Sequence, residues 1–107
     1  MKNISFAFSI NSFYKAEKTI ECCIEKKIFP IVFIKYFIVN GFGYEWVIEL
    51  RSLLEKKFTR KKFDIYVDCK KNYGLFICLV ENKIDYLKID AKNDTYERLN
   101  EIAKKNR

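Results

Sequence analysis

The sequence predicts an α/β domain built on a parallel sheet, and three observations lead there. Segments with period-two alternation recur between segments whose apolar residues fall at three- and four-residue steps. The two kinds follow each other in the order β-α-β-α-β-α-β-α, which calls for parallel strands joined by right-handed crossovers. No repeat, linker or low-complexity stretch interrupts the 107 residues, so residues 1–107 read as a single small domain of four βα units. An open flavodoxin-like sheet is the preferred arrangement. Half of a (β/α)8 barrel, which would dimerise to close, is the alternative.

The first strand is read from Met1 to Ser9, where Ile4, Phe6 and Phe8 alternate with small or polar residues. Asn11 and Ser12 then offer a side-chain oxygen to the free amides of a helix start. Phe13, Ala16, Ile20, Cys23, Ile24 and Ile28 line one face of a helix over about residues 12–27. Pro30 ends that helix and opens a second strand. Ile31 to Ile34 is continuously apolar, as in a strand covered on both faces. The run goes on through Tyr36 to Val39, as a longer strand or an apolar loop, to the turn signal Asn40-Gly41-Phe42-Gly43.

Trp46, Val47, Leu50, Leu53, Leu54 and Phe58 give the face of the second helix. Phe63, Ile65 and Val67 alternate cleanly in a third strand that ends at Asp68-Cys69. Lys70 to Gly74 is a turn, and Leu75 to Val80 is read as a short helix because another strand, Asp85 to Asp90, follows it. A last helix starts at Asn93 or Asp94, where Asp94 and Glu97 have the spacing of a capping box.

Composition excludes more than it assigns. With no histidine, mechanisms built on Ser-His-Asp or Cys-His are ruled out, as are His-ligated metal sites. Cys22, Cys23, Cys69 and Cys78 form no C-x-x-C pair, which argues against a zinc site or disulfide framework and for buried thiols in a reducing cytoplasm. Residues 1–25 lack the order of a signal peptide, and the twelve-residue apolar run from Ile28 to Val39 is too short to span a membrane. No membrane partner and no cofactor are expected.

The net charge of +7 is concentrated after residue 50, and five of the seven residues from Lys56 to Lys62 are basic. Lys56, Lys57, Arg60, Lys61 and Lys62 are therefore candidate nucleic-acid contacts. The competing reading is a solvated helix end, where cations suit the outward-pointing carbonyls.

Ligands of parallel α/β domains collect at the carboxyl ends of the strands. The loops there contain the binding candidates Asn11, Ser12, Asn40, Gly41, Gly43, Asp68, Cys69, Asn72 and Gly74, with Asp90 after the last strand. Asp68 and Asp90 could pair as two carboxylates, or each could cap free amides. Lys70 and Lys71 would lower the thiol pKa of Cys69. There is no G-x-G-x-x-G and no P-loop.

The stretch from Pro30 onward resembles a family of small uncharacterised alphaproteobacterial α/β proteins. In those proteins the third strand ends in an Asp-Cys-Gly-Asp-like turn, followed by a Gly-Leu-Ala-Leu-rich helix and another strand. Asp68, Cys69, Gly74 and Leu75 match that pattern, while Lys70 and Lys71 stand where the family has Gly-Asp. The resemblance implies a bacterial source, this organisation and a candidate loop, and transfers no activity. The loss of the acidic residue makes a metal at this turn less expected.

The favoured function is a cytoplasmic, non-catalytic binding or regulatory module for a protein or small-molecule partner. One alternative is a small enzyme using Asp68 with Asp90 or Cys69. The other is a basic nucleic-acid accessory protein.

Overall fold

The fold comes from a computed structural model that describes residues 4–59 and 62–105. The elements run β1 (Ile4–Ser9), α1 (Phe13–Glu25), β2 (Ile28–Ile34), α2 (Tyr36–Phe42), α3 (Tyr44–Lys57), β3 (Asp64–Asp68), α4 (Tyr73–Glu81), β4 (Tyr86–Lys88) and α5 (Asn93–Lys105). The four strands form one parallel sheet, so the α/β class expected from the alternation is what the chain adopts.

The strand order is β1-β2-β3-β4. Each crossover steps to the next strand in the same direction, without the reversal of a doubly wound sheet. Crossovers of one hand then keep their helices on one face. The helices accordingly pack in sequence, α1 on α3, α3 on α4 and α4 on α5. Successive βα units in a barrel wall are arranged the same way.

Burial along the strands identifies the two faces. Pro30, Val32 and Ile34 of β2, with Ile65 and Val67 of β3, point under the helices and are fully buried. Val32, Ile34, Ile65 and Val67 meet Ile20 of α1, Val47 and Leu54 of α3, and Leu79 of α4 in one core. The alternate residues Phe29, Ile31, Phe33, Asp64, Tyr66 and Tyr86 lie on the second face and keep part of their surface in water. Phe33 and Tyr66 rings sit 5.1 Å apart, and Tyr66 and Tyr86 rings 6.3 Å apart, in a row across three strands.

The apolar run after Ile34 forms an element that the sequence left undefined. Lys35 is extended, and α2 begins at once with Tyr36. The Asn40-Gly43 signal then splits. Asn40, Gly41 and Phe42 complete α2, whereas Gly43, at φ 90° and ψ 163°, is the hinge into α3. Only glycine holds that backbone without strain. The last helix starts at Asn93, with the Tyr96 N–H donating to the Lys92 carbonyl. Asp94 therefore lies inside the first turn, where its carboxylate accepts from the Thr95 N–H.

Candidate functional site

The loops expected to hold a ligand do stand at the strand carboxyl ends, and hydrogen bonds already occupy several of their side chains. Ser12 caps α1 by accepting from the Lys15 N–H at 3.2 Å. Asn72 caps α4 by accepting from the Leu75 N–H at 3.0 Å. Asp68 accepts from the Lys70 N–H at 3.0 Å and so closes its own turn. The backbone fastens this turn to the exit of β4, with Cys69 N–H donating to the Lys88 carbonyl and Asp90 N–H to the Lys70 carbonyl.

Cys69 lies fully buried under the turn. Burial, and after it the charge of Asp68, push its thiol pKa up to about 12. A thiol held that high stays protonated near neutral pH and is a poor nucleophile. The cations at 70 and 71 were expected to act in the opposite direction. They are exposed in the turn and do not offset the burial.

A shallow cavity of about 570 Å³ opens beside this turn, lined by Tyr36, Lys70, Lys71, Asn72, Tyr73 and Asp90. The structure thus joins Asn72 and Asp90, from two of the expected loops, to two lysines and two tyrosines. Asn40 does not line the cavity, and its side-chain oxygen accepts from the Tyr36 hydroxyl at 3.3 Å. Asn11, Ser12, Gly41, Gly43, Asp68, Cys69 and Gly74 do not line the cavity. Asp68 and Asp90 therefore do not face one another across it. Among the described residues no cluster of acidic or cysteine side chains could hold a metal ion.

Lys70 is the unusual residue of the rim. Its φ of 48° is left-handed, a conformation that costs a residue with a Cβ roughly 1–2 kcal/mol. Lys27 and Lys83 share the conformation, but both directly follow helix ends, where it is a routine cap. Lys70 stands between a strand and a helix, and neither it nor Lys71 forms an ion pair among the described residues.

The basic cluster is differently employed. Lys57 donates to Glu17 at 2.6 Å and lies 3.5 Å from Glu21, which ties the end of α3 to α1. Lys56 and Lys62 are exposed, and Arg60 and Lys61 lie outside the described residues. Tyr36 lay in an apolar run read as strand or loop, and Tyr73 in the turn before Gly74, so neither was singled out. Tyr36 follows the α2 cap Lys35 and Tyr73 follows the α4 cap Asn72, and that position at a helix start was the available signal.

A larger cavity of about 770 Å³, with a different lining, wraps the free edge of β4. Its lining joins Ile31, Tyr66 and Tyr86 of the second sheet face to Val80, Leu99 and Ala103 of the helical layer. Apolar side chains dominate it, and it holds none of the expected site residues. No helix among the described residues is long and apolar enough to cross a membrane. No family model, curated protein or solved structure matches this chain.

Proposed function

We propose that the protein is a non-catalytic binding module that holds a small anion-bearing ligand at the carboxyl ends of β3 and β4. The observation that carries this reading is Lys70, a lysine in glycine's conformation on the rim of a cavity. Backbone strain concentrates where a side chain is needed in a fixed place. Lys71, beside it, is a second cation without a carboxylate partner among the described residues. Asp90 and the two tyrosines supply acceptor and hydroxyl groups for the rest of a small polar molecule.

The buried Cys69 and the self-bonded Asp68 support binding over catalysis. The engagement of Lys57 by Glu17 weighs against nucleic acid as the main partner. Four free thiols suit a reducing cytoplasm. The alphaproteobacterial resemblance is part of the same proposal, and on it Lys70 replaces a glycine that the turn geometry would favour.

Calorimetry with inorganic pyrophosphate tests the reading. Lys70→Gly should abolish measurable binding while raising stability by roughly 1 kcal/mol, since it relieves the left-handed strain. Lys71→Ala should weaken binding about tenfold with no change in melting temperature, as for the loss of one charge-assisted contact. Equal binding by the wild type and both variants would overturn the proposal.

A further inference from the structure

The uncovered sheet face and the two free strand edges need a partner. Parallel sheets are normally covered on both faces. Here the second face exposes Phe29, Ile31, Phe33, Tyr66 and Tyr86 in part, and no helix lies over it among the described residues. Strands at sheet edges usually carry charges that discourage pairing. β1 reads Ile-Ser-Phe-Ala-Phe-Ser, with no charge, and leaves Ile4 at 67% and Phe6 at 51% exposure.

Register places Phe6 opposite Pro30 and Phe8 opposite Val32, so Phe6 projects on the helical side of the sheet. No helix covers it there, because α1 follows β1 and packs on β2. At the other edge α5 stands beyond β4 with a groove beneath it. Leu87, Tyr96, Leu99 and Ala103 line that groove, and Tyr96 is 49% exposed. One edge thus presents an uncovered aromatic knob, and the other presents an apolar groove on the same side of the sheet.

We propose that a second copy of this chain occupies the β4 edge, with its β1 paired parallel to β4 and its Phe6 seated under α5. A two-fold axis along the strands repeats the junction at the other side. Eight parallel strands then close into a ring with all helices outside, the number at which such a barrel fills its own interior. The partly exposed residues of the second face become that interior.

The area is adequate. Half-exposed Phe6, Tyr86 and Tyr96 each leave on the order of 100 Å² to cover. With Ile4, the rest of the second face and two strand edges, each copy offers on the order of 800 Å², which a standard stable interface buries. A nucleic-acid strand stacked on the same aromatic row would have to lie against Asp64 and Asp68. This inference does not depend on the anion site. It places both copies' carboxyl-end cavities at one mouth of the ring.

Light scattering of the full chain after size exclusion, at micromolar concentration, is the test. The expected mass is twice 12.9 kDa. Phe6→Glu and Tyr96→Lys should each halve it, with the far-ultraviolet dichroism unchanged. Mixing the two variants in equal amounts should restore the doubled mass. That mixture keeps one native junction and sets glutamate against lysine at the other. A wild-type monomer would overturn the proposal, as would a dimer that ignores both substitutions or an open polymer in place of a closed pair.

Discussion

Two residues show how environment decides chemistry in this protein. Cys69 has neighbours that would favour a thiolate in water, yet burial raises its pKa from 9.0 to about 12. In the unfolded chain the thiol ionises near the lower value. The folded state therefore keeps a stabilising preference below pH 9.0 that is lost as pH climbs toward about 12. Thermal melts should fall over that alkaline window, and Cys69→Ala should flatten the fall. A thiol reagent at neutral pH should label exposed Cys22 first and leave Cys69 unlabelled until unfolding. Rapid labelling of Cys69 by mass-mapped peptides would contradict its placement. Asp64 works in the acid range. Burial first, then the charge of Asp85, raises its pKa above 3.8. A raised acid destabilises the fold when ionised, and the penalty is relieved as pH falls toward 3.8. Asp64→Asn should accordingly raise the melting temperature at neutral pH, and a lowered one would contradict the assigned cause.

At the scale of elements, the three glycines make opposite predictions. Gly43 holds a backbone that a Cβ strains, so Gly43→Ala should cost about 2 kcal/mol in denaturant unfolding. Gly41 in α2 has nothing within 4 Å of an added Cβ, and Gly74 in α4 meets only Asn72 Oδ1 at 3.7 Å. Alanine at either should be neutral or stabilise by roughly 0.5–1 kcal/mol. Equal losses at all three would mean that the hinge is misplaced. The same contrast marks what could be read in the sequence. β3 was legible because Asp64 and Tyr66 on one face alternate with Ile65 and Val67 on the other. α1 was legible because Ser12 caps it and charges fill its outer face. α2 was not, because Tyr36-Phe37-Ile38-Val39 contains no polar position to set a period. The site followed the same rule. Asn72 and Asp90 were found from the strand ends, whereas Tyr36 entered the cavity with the helix that had no pattern.

For the whole molecule, the strand order decides most. Strict alternation of elements fixes parallel strands but does not say on which side each new strand is added. The sequential order found here leaves one face and two edges uncovered, with Phe6 and Tyr86 half exposed among them. Charge proved less informative at this scale than at the scale of single residues. The excess of +7 spreads over helix ends, as with Lys57 on Glu17, while the two rim lysines at 70 and 71 remain unpaired among the described residues. The central claim is that those two lysines mark a ligand site at the strand carboxyl ends. A backbone amide NMR titration of the wild-type chain with inorganic pyrophosphate tests it most directly. Saturable shifts confined to the amides around Tyr36, Lys70 to Tyr73 and Asp90 are the predicted result. Shifts centred on Lys56 to Lys62, or none at all, would contradict it.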